Sequence, residues 1–281
     1  MTPFGQRLAE VFSQRGHLCV GIDPHRASLV SWGLPDTAEG AETFGLRLTQ
    51  AAEAGGAAAI KPQSAMFERF GSAGLAALEQ VLARAGRLGL LTVLDVKRGD
   101  IGSTMTAYAQ AYLEDHAPLA ADAITLSPYL GFGSLQPALS LAERTGRGVF
   151  VLAFTSNAEG RDVQSAVTPN GLNTGEAMIE AAGRVNAGQP PLGSTGVVIG
   201  ATLGALEPST VKLIAQLNGP ILAPGVGHQG ADGQALIDLF GDASDKVLAT
   251  TSRAISAAGP ALADLTAAVK IWVGKMAILG H

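Results

Sequence analysis

Short runs of aliphatic and β-branched residues recur along the chain at 17–23, 57–61, 90–97, 123–128, 148–155, 196–201, 220–223 and 247–252. Between them lie Ala- and Leu-rich segments with helical patterning at 38–54, 72–87, 104–116, 133–145, 174–187, 208–217 and 232–240. A last helix is expected over 260–279, with Pro260 suited to its first turn. The strand runs are continuously apolar rather than alternating, the pattern of parallel strands buried on both faces. Eight strand–helix units match a (β/α)8 TIM barrel better than an open doubly wound sheet, which usually has fewer strands. No linker or low-complexity tract divides the chain, so residues 1–281 read as a single barrel domain.

Composition allows a large core: 47% of residues are hydrophobic and the mean hydropathy is +0.26. The formal net charge of −5 argues against nucleic-acid and anionic-membrane partners. The one cysteine, Cys19, excludes an intramolecular disulfide and fits a reducing compartment. It lies inside an apolar run, where a thiol is buried and inert. The N-terminus lacks the apolar core of a signal peptide, and no uninterrupted apolar stretch reaches membrane-spanning length. The expected protein is soluble and cytoplasmic.

Chemistry in such barrels gathers at the C-terminal ends of the strands, and the polar residues of this chain fall there. The third strand ends in Asp95, Lys97 and Asp100. Asp95 and Lys97 are two apart and share a face of an extended chain; Gly99 then lets the chain turn, and Asp100 follows it into the loop. Charges at the end of an apolar strand are costly unless they pair or react. Strand one ends in Asp23, strand two in Lys61 and Gln63, strand five in Thr155, Ser156 and Asn157, and strand eight in Ser252 and Arg253. After strand seven, Gly225, Gly227 and Gly230 satisfy G-x-G-x-x-G. A dinucleotide fingerprint would follow the first strand of a βαβ unit instead, so that reading is rejected. The glycines still let backbone N–H groups approach a phosphate, the next helix N-terminus favours an anion, and Arg253 could grip the same phosphate. The histidines show no metal-ligand spacing, and lysines interleaved with the carboxylates argue for a metal-free site. No cofactor motif is visible. The break at 157–173 reads equally as a lid or as an insertion without a role.

With Asp95-x-Lys97-x-x-Asp100 ending strand three, Lys61 ending strand two, and a glycine loop and Arg253 after strands seven and eight, the chain resembles the orotidine 5′-phosphate decarboxylases, and among them the longer bacterial branch. The stretches 95–104 and 127–133 carry that second likeness, and the resemblance runs from Asp23 to Arg253. It implies decarboxylation of orotidine 5′-phosphate to UMP in pyrimidine biosynthesis, without a cofactor. It further implies that Lys97 donates a proton to C6 of the pyrimidine, that Asp95 stands beside the substrate carboxylate, and that Lys61, Asp95, Lys97 and Asp100 form an alternating charge network. Asp23 and Lys61 would bind ribose hydroxyls, Ser156 the pyrimidine edge, Gln229 both phosphate and base, and Arg253 the phosphate. The resemblance implies a homodimer with shared sites, Asp100, Ile101 and Thr104 acting across the interface.

Two other readings compete. Related barrel enzymes act on sugar phosphates with magnesium but carry an acid where this chain has Lys61. A catalytically silent nucleotide-binding barrel would gain nothing from two carboxylates near an anionic ligand.

Overall fold

The structure is a computed structural model and describes residues 2–227 and 230–280. The strands are β1 (Leu18–Ile22), β2 (Ala59–Pro62), β3 (Leu91–Arg98), β4 (Ala123–Leu126), β5 (Gly148–Phe154), β6 (Thr195–Ile199), β7 (Ile221–Pro224) and β8 (Val247–Thr251). They pair in parallel in chain order, and β8 closes on β1, giving a (β/α)8 barrel. The main covering helices are Ala38–Gly55, Gly71–Arg87, Gly102–Leu113, Gln136–Thr145, Thr174–Val185, Pro208–Gln216, Gly233–Phe240 and Leu262–Met276.

The period of two along each strand sorts side chains into two apolar bodies. Leu18, Val20 and Ile22 of β1 point outward and join Phe44 and Leu48 of a covering helix in the larger one. Cys19 between them points inward and packs with Leu91, Val93, Ala123, Phe150, Leu222 and Leu248. The same inward file, followed toward the C-terminal ends, changes character: Ala59 is followed by Lys61, Val93 by Asp95 and Ala123 by Thr125. The barrel is therefore an apolar plug below and a polar cup above.

Several elements depart from the sequence expectation. A helix at Phe4–Arg15, not anticipated from the sequence, closes the N-terminal end of the barrel. Only Phe4, Gly5 and Leu8 of it are buried, too few for a clear helical stripe. Phe4 meets Phe150 edge to face at 6.0 Å. Arg7 pairs with Asp122, whose other oxygen accepts the N–H and hydroxyl of Thr92, both at 2.9 Å. The last helix starts at Leu262 with Ala261 as its N-cap, so Pro260 precedes the helix rather than occupying its first turn. The 157–173 break holds a short helix, Gly160–Gln164, and a bridge between Val167 and Asn173. Asn173 then caps the following helix, in a capping box with Glu176. Among the described residues, no helix is long and apolar enough to cross a membrane.

His17, at the foot of β1, is buried, stacks on Phe12 at 4.3 Å and places Nδ1 3.0 Å from the Val247 carbonyl. Burial holds its pKa below the ordinary value of 6.5, against the opposing pull of the Val247 carbonyl and of Asp245. In the unfolded chain the ring takes up a proton more readily, so protonation favours unfolding as pH falls below 6.5. Denaturant titrations at stepped pH should show stability declining through that window, and His17→Gln should flatten the decline. An unchanged pH slope in the variant would remove His17 as its source.

Candidate active site

The polar cup opens into a cavity of about 240 Å³. Its walls are Lys61, Asp95, Lys97, Thr125, Leu152, Phe154, Thr155, Ser156, Asn157, Val198, Gly200, Leu222 and Pro224. A larger groove of about 450 Å³ lies between Pro3, Arg147 and Pro190, and the charged strand ends do not line it.

Asp95 is the hub. Its Oδ2 accepts from Lys61 Nζ at 2.8 Å, and its Oδ1 accepts from Lys97 Nζ at 2.6 Å and from the Thr125 hydroxyl at 2.8 Å. Lys61 also donates to Gln63 Oε1 at 3.3 Å. Burial alone would push the Asp95 carboxyl up and the Lys61 ammonium down. The facing opposite charges outweigh it, so Asp95 lies well below the usual carboxylate range and Lys61 above the usual lysine value. Asp23, just past β1, adds to the field that holds Lys61 charged. Lys61 and Asp95 are buried, whereas the Lys97 side chain is 43% exposed. Lys97 is thus the most exposed charge of the array, with Lys61 and Asp95 deeper in the cavity lining.

The route by which Lys97 reaches Asp95 differs from a plain extended strand. β3 advances from Leu94 to Arg98 while β4 advances only from Ile124 to Leu126, a local bulge. Within it Lys97 has φ 45°, the left-handed region that a long side chain rarely occupies. Its N–H turns to the Thr125 hydroxyl at 2.9 Å. Gly99, expected to supply conformational freedom, is required for space instead: a Cβ there would stand 2.1 Å from the Ser127 carbonyl oxygen.

Asp100 does not join the array within one chain. Its carboxylate accepts the N–H of Ile101 at 2.8 Å, and it stands half-buried on the loop after β3. Within one chain the array therefore has three members, Lys61, Asp95 and Lys97, with Asp100 outside it. Ile101 and Thr104 follow, both exposed at the start of the helix Gly102–Leu113.

Ser156 lies on the corner after β5, exposed at the cavity wall. That corner is held from the 157–173 segment: Gln164 accepts the Thr155 N–H at 2.9 Å and donates to the Thr155 hydroxyl at 2.8 Å. The segment is tied to the rim rather than hanging free of it.

Gly225, Gly227 and Gly230, after β7, have φ of 104°, 89° and 95°, conformations that favour glycine. A Cβ on Gly227 would come within 2.9 Å of the Trp272 ring. The helix after this loop does not offer a free N-terminus, as had been expected, because the Asp232 carboxylate caps it by accepting from Ala235 N–H at 3.0 Å. Arg253 is exposed in the first turn after β8. Gln229 lies outside the described residues.

Thr125 is the site residue that sequence reasoning missed. A single hydroxyl inside the apolar run of β4 was the available signal. Cys19 is inert: burial pushes its thiol up to about 12. Among the described residues, no group of three His, Cys, Asp or Glu could hold a metal ion.

The model of the orotidine 5′-phosphate decarboxylase / HUMPS family matches residues 16–268. The chain is 50% identical over 267 residues to the orotidine 5′-phosphate decarboxylase of Streptomyces coelicolor, covering 95% of this chain and 93% of that one. It is 50% identical over 268 residues to its counterpart from Salinispora arenicola, covering 95% of both. Among solved structures, one described as an orotidine 5′-phosphate decarboxylase from Streptomyces avermitilis superposes with a TM-score of 0.93 at 46% identity, covering 100% of this chain and 96% of that one. The Leishmania donovani OMP decarboxylase superposes with a TM-score of 0.76 at 33% identity, covering 99% of each. A barrel with this charge array, matched to the family over most of its length and half identical to such relatives, belongs to the orotidine 5′-phosphate decarboxylase / HUMPS family.

Proposed function

We propose that the protein decarboxylates orotidine 5′-phosphate to UMP. The observation that carries this reading is the Lys61–Asp95–Lys97 array at the wall of a partly apolar cavity. Loss of CO2 breaks the bond to C6 and leaves an electron pair on a carbon with no ordinary electron sink. The Lys97 ammonium, set beside C6, stabilises that pair and then gives it a proton, forming the C6–H bond; the amine is reprotonated from water. Leu152, Val198 and Leu222 exclude water from the same space, which strengthens every charge interaction inside it. Asp95, held ionised by two ammonium groups, stands beside the substrate carboxylate and repels it until CO2 departs.

The family likeness and the position of these residues at the strand ends support the following substrate contacts. Asp23 and Lys61 take ribose hydroxyls, and Ser156 takes the pyrimidine edge. The loop of Gly225, Gly227 and Gly230, with Arg253, takes the phosphate, and Gln229 bridges phosphate and base. Binding the phosphate away from the breaking bond supplies energy that can be used for closure. The unpaired, buried Cys19 is in keeping with a cytoplasmic enzyme.

We also propose that two chains share their sites. Three consecutive strand-end loops carry exposed apolar side chains: Ile101 after β3 (62% exposed), Tyr129 and Leu130 after β4, and Val163 and Val167 after β5. Such a patch supports an interface. Asp100, whose carboxylate accepts the Ile101 N–H rather than a lysine of its own array, would then serve the neighbour's, together with Ile101 and Thr104.

Three measurements test this reading. Lys97→Ala should lower kcat by at least about 10³-fold while leaving the thermal melt close to wild type, because its side chain is partly exposed; near-wild-type turnover would sink the assignment. Arg253→Ala should raise KM by roughly 10–100-fold, and orotidine lacking its phosphate should be a poor substrate for the wild type. Equal use of both substrates would refute the phosphate grip. Mixing and refolding inactive Lys97→Ala with inactive Asp100→Ala chains should restore part of the activity, since mixed dimers contain one intact site; no recovery in confirmed mixed dimers would contradict sharing.

A further inference from the structure

We propose that Thr125 is the positioning residue for the proton-donating lysine, binding the Asp95 carboxylate and the Lys97 backbone into one unit; this rests on the reading of Lys97 given above. Thr125 is 1% exposed on β4 and belongs to the inward file of the barrel. Its hydroxyl donates to Asp95 Oδ1 at 2.8 Å and accepts the Lys97 N–H at 2.9 Å. The same Oδ1 receives Lys97 Nζ at 2.6 Å. One hydroxyl therefore touches both ends of the link between the lysine and its counter-ion.

The polarity of this link is forced. An ionised carboxylate only accepts, and a backbone N–H only donates, so a group joining them must both donate and accept. A hydroxyl does so with a single oxygen. Threonine is also stiff at χ1, which fixes the direction of that oxygen. The backbone makes the need acute. Lys97 sits at φ 45° in the bulge where β3 falls out of register with β4, so its N–H cannot use the regular ladder. Thr125 supplies the acceptor from the opposing strand and holds the residue in a conformation it would otherwise leave. Beyond that point the lysine has a long flexible stem and a half-exposed head, and its orientation depends on how well its base is held.

The charged groups facing Asp95 are Lys61 from β2 and Lys97 from β3, with Asp23, just past β1, acting on Lys61. Thr125 is neutral, so replacing it alters geometry and hydrogen bonding without changing the charge of the array. That separates positioning from electrostatics.

The test compares Thr125→Val, which keeps the shape and removes the hydroxyl, with Thr125→Ser, which keeps the hydroxyl. Thr125→Ala provides the same comparison if the valine variant does not fold. Steady-state kinetics on orotidine 5′-phosphate, UMP affinity, and exchange of the UMP C6 hydrogen in D2O followed by NMR are measured on each, with thermal melts alongside. The expected result is a kcat lower by roughly 10–100-fold in the variant lacking the hydroxyl, C6 exchange slowed by the same factor, KM and UMP affinity within about twofold of wild type, and recovery to within a few-fold in the serine variant. A merely structural role would lower the melting temperature and leave turnover per folded site unchanged. That outcome, or failure of serine to rescue, overturns the inference. Wild-type protein inactive on orotidine 5′-phosphate would instead overturn the reading of the site on which it rests.

Discussion

Asp95 lies at the top of the inward file of β3, with a lysine ammonium on each carboxylate oxygen at 2.8 and 2.6 Å. An ionised carboxylate at that depth costs several kcal/mol to desolvate, and removing its buried partner Lys61 would cost about 3–5 kcal/mol. The carboxylate is therefore held between Lys61 and Lys97, and each lysine is held to it. β2, β3 and β4 must arrive in register for these contacts to form, because Lys61, Asp95 and Thr125 come from three different strands. The charge array is a consequence of barrel closure and also a reason for the closure to be unique, since slipping any of the three strands by one residue would turn its polar side chain to the apolar face.

The same geometry explains how a core and a reactive cup share one interior. Alternate residues of every strand point to the axis. Near the N-terminal ends these are Cys19, Leu91, Val93, Phe150 and Leu248, closed from below by Phe4 and Leu8. Farther along they become Lys61, Asp95 and Thr125, beside Leu152, Val198 and Leu222. The dry half supports the wet half and lowers its effective dielectric, which strengthens the interactions among the three charges. Lys97, which holds a left-handed backbone, is also the most exposed charge of the array, and the Thr125 hydroxyl opposite it accepts its N–H.

Legibility in the sequence followed the range of the interactions. The eight strands were readable because parallel strands buried on both faces leave continuous apolar runs. The strand-end polar groups were readable because a charge at the edge of such a run is conspicuous. The helix Phe4–Arg15 was not, since its burial depends on a barrel mouth that exists only once the sheet has closed. The Asp232 cap was missed because the expected helix, 232–240, took Asp232 as its first residue, whereas the helix starts at Gly233 with Asp232 just outside it. Gly99 looked like a hinge and proved to be a spacer against the Ser127 carbonyl.

The sequence by itself determined the barrel, the order of its strands and the identity of the charges at their ends, because hydrophobic periodicity and local chemistry are written residue by residue. Only the tertiary structure decided how those charges are connected. It joined Lys61 to Asp95 across two strands, separated Asp100 from them, and placed the left-handed backbone at Lys97 rather than at a glycine. It also brought the Thr125 hydroxyl of β4 onto both Asp95 and Lys97. These contacts depend on the stagger and bulge of neighbouring strands, which couple residues about thirty positions apart and leave no local trace.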